Sequence, residues 1–211
     1  GMDTVYHVAA KAGVWGPFDA YYTANVVGTE NVIAACRRQK VERLIYTSSP
    51  SAVFNDGDME GADESVPYPD SFHAPYPETK AKAEQLVRDA GRSGLATVSL
   101  RPHLIWGPRD AHLVPRILAR AKRLKRVGDG RNRVDTIYID NAAEAHLLAE
   151  AALEARPEIS GNVYFISNDA PLPLWEMVDH ILAAGGLPPV TASVSPRTAY
   201  RIGAVLETLY R

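Results

Sequence analysis

Residues 25–49 read NVVGTENVIAACRRQKVERLIYTSS, a helical run followed at once by a short apolar strand that ends in hydroxyls. Val26, Val27, Val32, Ile33, Ala35 and Cys36 recur at the three- and four-residue spacing of one helix face, and the helix is expected from Asp19 to Arg38. Arg43 to Thr47 then reads as a buried strand. The same alternation extends in both directions. Asp3 to Ala10 is a short apolar run rich in β-favouring residues, a strand that begins almost with the chain. After residue 49 come a helix from about Tyr76 to Ala90, a strand from Ala96 to Leu100, and helices from about Val114 to Lys125 and Asn141 to Ala155. Helices alternating with strands imply the α/β class, a parallel sheet with helices on its faces.

Beyond Arg156 the periodicity loosens. A strand from Val163 to Ile166, a helix from Leu174 to Ala184, a Gly-Gly-Leu-Pro-Pro break and a helical stretch from about Arg197 read as a smaller α/β cap. Residues 1–156 are thus expected to form the sheet domain, with some cap segments interleaved from about residue 107, and residues 157–211 to be mainly cap. Asn55 to Ala74, rich in Asp, Pro and Gly, reads as a loop.

With 211 residues, 46% of them hydrophobic and 23% charged, the chain has the profile of a globular domain with a core of its own. A net charge of −2 supplies no basic field for nucleic acid. The one cysteine, Cys36, lies in an apolar helical run, reads as a buried thiol, and can form neither an internal disulfide nor a multi-cysteine metal site. No apolar run reaches the roughly 18 residues of a membrane span, and the expected compartment is the cytoplasm.

In open parallel sheets ligands sit beyond the carboxyl ends of the strands. Here those ends are His7-Val8-Ala9-Ala10, Thr47-Ser48-Ser49 and Arg101-Pro102. Tyr76-Pro77-Glu78-Thr79-Lys80 places a phenol and an ammonium one turn apart at a helix start, with Pro77 suited to the first helical position. An ammonium about 4 Å from the phenolic oxygen, at an effective dielectric of 20, favours the phenolate by about 4 kcal/mol, roughly three pKa units. Tyr76 would then be an acid and base near neutrality. The hydroxyls of Thr47, Ser48 and Ser49 could share a carbonyl or alcohol oxygen with it; a serine-rich turn capping a strand is the plainer alternative.

Taken together, His7-x-Ala9-Ala10, the Asn25–Val32 stretch, Tyr46-Thr47-Ser48-Ser49, Tyr76-x-x-x-Lys80, Arg101-Pro102 with Trp106-Gly107-Pro108, and Gly128-Asp129-Gly130 with Tyr138-Ile139-Asp140-Asn141 resemble the extended short-chain dehydrogenases in order and spacing. The resemblance implies a Rossmann-like doubly wound sheet, whose N-terminal strands lie outside this chain, and a small C-terminal α/β cap. It implies that Tyr76 is the general acid or base, that Lys80 lowers its pKa and holds the nicotinamide ribose, and that Ser49, or Ser48 in its place, positions the substrate oxygen. Asn25 would join the active-site hydrogen-bond network, or be an ordinary helix-interior asparagine. Ala9 and Ala10 would admit the cofactor by being small, and Pro102 and His103 would pass under the nicotinamide. His7 would line the same cleft or be a satisfied core histidine. No metal is implied.

The family's glycine-rich pyrophosphate turn is not found, because the chain begins at what would be the fourth strand. The residue that separates NAD from NADP is lost with it. The chain ends within a helical stretch at Tyr210-Arg211, so an enzyme cut at both ends is expected.

Within the family, nucleotide-sugar epimerases and dehydratases carry an arginine where this chain has Val134, with Arg133 on the opposite face of an extended strand. The stretches Lys11–Gly16, Leu104–Pro108, Tyr164–Asn168 and Ala199–Ala204 instead resemble the hydroxysteroid and sterol-carboxylate dehydrogenase branch. That branch implies a hydrophobic ketone or alcohol as substrate, in particular a β-keto acid bearing two long alkyl chains. It implies NADP(H), with NAD(H) as the alternative. Trp15, Trp106, Leu104 and Leu113 would contact an acyl chain or simply be core. A homodimer through the helices of Asp19–Arg38 and Tyr76–Ala90 is a further implication. The competing expectations are a sterol dehydrogenase working oxidatively, a nucleotide-sugar enzyme, and a non-catalytic binding module.

Overall fold

The computed structural model describes every residue but Val14, Asp56 and Arg211, and every side chain but those three and Glu207, Leu209 and Tyr210. Val14 of the Lys11–Gly16 stretch and the terminal Arg211 therefore lie outside the described residues. Strand β1 (Thr4–His7) leads through α1 (Phe18–Tyr21), a π-helical segment (Tyr22–Val27) and α2 (Gly28–Gln39) to β2 (Arg43–Thr47). A 3-10 turn (Pro50–Val53) and the 55–74 loop precede α3 (Pro75–Arg92) and β3 (Ala96–Pro102). Next come β4 (Leu104–Trp106), α4 (Leu113–Arg120), β5 (Arg126–Val127), β6 (Arg133–Val134), β7 (Thr136–Tyr138), α5 (Ile139–Ala155) and β8 (Asn162–Ile166). The chain closes with β9 (Leu172–Pro173), α6 (Leu174–Ala184), β10 (Ser193–Val194) and α7 (Pro196–Tyr210).

Two compact units result, one of residues 1–103 and 140–167, the other of 104–139 and 168–211. The first holds a four-stranded, wholly parallel sheet in the order β1-β2-β3-β8. This corrects the sequence-based assignment of 163–166 to the cap: the strand pairs with β3 from Val98↔Asn162 to Pro102↔Ile166. A five-residue strand carries no local signal of which sheet it joins, so the boundary at residue 156 had no physical basis in periodicity.

The two faces of the sheet are covered differently. On one, Leu44 and Tyr46 of β2 pack against Ile33 and Cys36 of α2 and against Ala83, Val87 and Ala90 of α3. On the other, Ile45, Val98 and Leu100 pack against α5 through Leu153, Ala145, Ala149 and Ala152. Helices on both faces of a parallel sheet make the doubly wound arrangement. Gly91 lets α3 close on the turn before β8, since a Cβ there would lie 2.6 Å from the Gly161 nitrogen. The expected helix 19–38 is in fact interrupted by the π-helical segment, a local device often found beside functional sites. Lys40 ends α2 in the left-handed conformation, its backbone N–H returning to the last turn.

In the second unit α4 and α6 enclose a small core of Val178, Leu182 and Val190 with Ile117 and Leu118. Three two-stranded pieces, β10-β5, β4-β7 and β6-β9, complete it. Such two- and three-residue strands are too short to show a period of two.

Candidate active site

Parallel register sets the carboxyl ends of the strands side by side: His7 is opposite Tyr46, Tyr46 opposite Ser99, and Thr47 opposite Leu100. Successive side chains then diverge to opposite faces. Tyr46 points to the α3 side, whereas the Thr47 hydroxyl meets His146 Nε2 of α5 at 2.7 Å.

Helix α3 starts with Ala74 in extended conformation and Pro75, not Pro77, among its first positions, so Tyr76 lies in the first turn. The Ser49 hydroxyl is near enough to its phenol to act on it. Ser49 is held in turn as the cap of the 3-10 turn: its Oγ accepts from the Ser51 backbone N–H at 3.2 Å and lies 2.8 Å from the Ser51 Oγ. Burial pushes the Tyr76 phenol above its ordinary value, and the nearby Ser49 hydroxyl opposes that rise.

Lys80 is 1% exposed. Its Nζ donates to the Tyr46 hydroxyl at 2.7 Å and to the Thr47 carbonyl at 2.6 Å. Burial brings its pKa down to about 7, against the opposing pull of the Glu84 carboxylate. The expectation that this ammonium lowers the Tyr76 pKa therefore does not hold in this arrangement. Spacing of i,i+4 put both groups on one helix face, but the long lysine stem turns inward to two acceptors on β2.

Asn25, on the π-helical segment, is 2% exposed and works as a clamp. Its Oδ1 accepts from the Lys11 N–H at 2.7 Å, while its Nδ2 donates to the Lys11 carbonyl at 3.1 Å and to the Thr79 hydroxyl at 3.0 Å. One side chain thereby ties the loop after β1 to the helix that carries Tyr76 and Lys80. His7, buried at the end of β1, donates from Nε2 to the Thr29 hydroxyl at 2.9 Å, and that hydroxyl donates to the Asn25 carbonyl at 2.7 Å. Burial lowers the His7 pKa, and the nearby Lys80 charge lowers it further.

Beneath these groups lies a buried ion pair. Arg101, 1% exposed, donates from Nε and Nη2 to the two oxygens of the fully buried Glu84 at 2.9 and 2.6 Å. The Tyr68 hydroxyl adds a hydrogen bond to Glu84 at 2.6 Å. Neither Glu84 nor Tyr68 was singled out from sequence. The available signal was Arg101 itself, a cation in an apolar strand, which burial obliges to find a carboxylate.

The structure thus brings Tyr76, Ser49, Lys80, Asn25 and His7 together in the first unit. Ser48, second choice to Ser49, is buried with its hydroxyl unpartnered and its N–H bound to the Leu100 carbonyl. Ala9 and Ala10 are exposed just past β1, and Pro102 is buried at the end of β3 with His103 after it, its N–H bound to the Ile166 carbonyl. Ala9, Ala10 and Pro102 bring no side-chain donor or acceptor to the hydrogen bonds around Tyr76 and Lys80. Trp15 is 60% exposed in the first unit. In the second, Trp106 sits edge-on to Tyr138, and its indole N–H bonds the Thr136 hydroxyl at 3.3 Å.

A nicotinamide nucleotide fits the residues present at its ribose end. The Lys80 amine has two of its three donor directions committed, and Ala9 and Ala10 place no side chain beyond Cβ at the rim.

A doubly wound parallel sheet with polar side chains gathered at the carboxyl ends of its strands places the candidate site where ligands bind in open α/β sheets. Residues 1–195 match the 3-beta hydroxysteroid dehydrogenase/isomerase family, and the chain belongs to it. It is 55% identical over its whole length to 2-alkyl-3-oxoalkanoate reductase from Stenotrophomonas maltophilia and 53% identical to the protein of the same name from Shewanella oneidensis. It spans 65% and 57% of those two relatives. Among solved structures, MoeE5 in complex with UDP-glucuronic acid and NAD matches 92% of this chain and 66% of its own, at 28% identity and a TM-score of 0.73.

Proposed function

We propose that this chain carries the catalytic residues of a reductase that converts a 2-alkyl-3-oxoalkanoate to the 2-alkyl-3-hydroxyalkanoate, using NADPH in preference to NADH. The observation that carries the reading is the Tyr76–Ser49 hydroxyl pair at the carboxyl edge of the sheet, with Lys80 buried behind it. The likeness to the two bacterial reductases, extending over the whole chain, supports the substrate class.

A bound nicotinamide would supply the hydride to the ketone carbon. Ser49 and Tyr76 both donate hydrogen bonds to the ketone oxygen, and Tyr76 gives that oxygen its phenolic proton as the C–O double bond becomes single. A phenol held above its ordinary pKa stays protonated at neutral pH, which suits a proton donor in the reductive direction. Lys80 presents its remaining N–H to the ribose, and Asn25 keeps the Lys11 loop and α3 in register around it. Preset donors of this kind stabilise a developing alkoxide without reorganising when the charge appears. The same reading places the protein in the cytoplasm and pairs two copies through α2 and α3.

In the intact protein, Tyr76→Phe is expected to lower reduction of a 2-alkyl-3-oxoalkanoate by roughly 10²- to 10⁴-fold while NADPH binding, followed by nucleotide fluorescence, is retained. Undiminished turnover in that variant would refute the assignment, and equal use of NADH would refute the nucleotide preference.

A further inference from the structure

We propose that Tyr46 is a positioning residue for the reaction, a second phenol that with the Thr47 carbonyl holds the Lys80 amine in place. This rests on the reading of Lys80 as the residue that holds the nicotinamide ribose. Three independent features carry it.

The first is direct contact. Lys80 Nζ lies 2.7 Å from the Tyr46 hydroxyl and 4.3 Å from the centroid of its ring, so the amine is gripped by both the oxygen and the π-face. The second is that the Tyr46 hydroxyl has a fixed neighbour. The Thr29 hydroxyl beside it favours the phenolate, and Thr29 is itself fixed by its bond to the Asn25 carbonyl and its contact with His7 Nε2. The Tyr46 oxygen faces Lys80 as an acceptor.

The third is burial. Tyr46 and Lys80 are each 1% exposed, in a site where an amine without acceptors would be strongly destabilised. Glu84 is paired to Arg101 and Tyr68, so it acts on Lys80 through its field without giving it a direct hydrogen bond. The charged and titratable groups around the amine are then Tyr46 from β2, His7 from β1, Tyr76 and Glu84 from α3, Arg101 from β3 and Tyr68 from the preceding loop. Of these, Tyr46 is the one whose oxygen receives a Lys80 proton.

An acceptor bound to the charged form raises the pKa of an amine, so removing it lowers that pKa. The test is Tyr46→Phe, which keeps the ring and its packing, read by 13Cε-lysine NMR with the Lys80 resonance assigned from its loss in Lys80→Gln. The wild-type resonance is expected to titrate near 7. In Tyr46→Phe the midpoint is expected to fall by about one unit, a tenfold loss of ammonium at a given pH above it. Thr29→Val, which keeps the phenol but removes the hydroxyl beside it, is expected to move the midpoint less, in the same sense. With turnover, the alkaline limb of kcat/KM moves down alongside the midpoint. A variant that loses only thermal stability, with the Lys80 midpoint unmoved, would overturn the proposal, as would one with no change at all. The resonance needs no turnover, so its outcome is independent of whether the substrate reading stands.

Discussion

The two faces of the central sheet share the strands β2 and β3 and carry different chemistry. Toward α5, Ile45, Val98 and Leu100 meet leucine and alanine in an almost wholly apolar layer. Toward α3, an apolar outer part built on Leu44 and Val87 gives way near the carboxyl edge to Tyr46, Ser99, Arg101, Lys80 and Glu84, each 1% exposed or less. A protein interior accepts ionisable groups when they are paired and hydrogen-bonded. Arg101 and Glu84 meet that condition bidentately, and Lys80 meets it through Tyr46 and Thr47. The α5 face is thus almost wholly apolar, whereas the α3 face combines an apolar cluster of its own with paired polar groups at the carboxyl edge, the ion pair joining α3 to β3.

The contrast makes measurable claims. The largest stability effect is expected at Arg101→Leu, which leaves the Glu84 carboxylate buried and unpaired and should lower unfolding free energy by about 3–5 kcal/mol in denaturant titration. The double variant Glu84→Leu with Arg101→Leu removes the stranded charge and should recover part of that loss. A single variant as stable as wild type would break the comparison. On the apolar face, Leu153→Ala is expected to cost about 2–5 kcal/mol by opening a cavity under α5. There the pH profile of activity should stay where it was, because no titratable group is touched.

The third effect, the smallest for each single step of the measurement, sharpens the comparison from the polar side. Burial brings Lys80 from the ordinary 10.5 to about 7. Between those values the unfolded chain binds a proton that the folded chain has released. Unfolding free energy should therefore rise with pH across that window, by at most about 1.4 kcal/mol per pH unit, and the penalty is greatest below pH 7. Lys80→Met should flatten that slope, as measured by denaturant midpoints at successive pH values; an unchanged slope would mean that Lys80 is not the group responsible.

Much of this was legible beforehand, for stated reasons. Helical spacing in 26–36 and the apolar run 43–47 sufficed for the alternating architecture, and the strand ends marked the functional edge. The Tyr76, Lys80, Ser49 and Asn25 candidates came from motif spacing and resemblance, and the structure brings them together. What escaped was long-range. Tyr46 and Lys80 are 34 residues apart, Glu84 and Arg101 are 17 apart, and no local period couples them. The sheet membership of Asn162–Ile166 escaped for the same reason, since pairing partners of a short strand are chosen by the fold around it.

By itself, the sequence determined the alternation of helix and strand, the hydroxyl-rich rim and the presence of a tyrosine and a lysine one helical turn apart. These are local properties, set by side-chain periodicity and neighbour spacing. Only the tertiary structure decided which acceptors the lysine takes, that the Tyr76 phenol is raised and not lowered, and which serine it meets. Those outcomes depend on burial and on the directions of side chains from separate elements, which exist only once α3 has closed on the sheet.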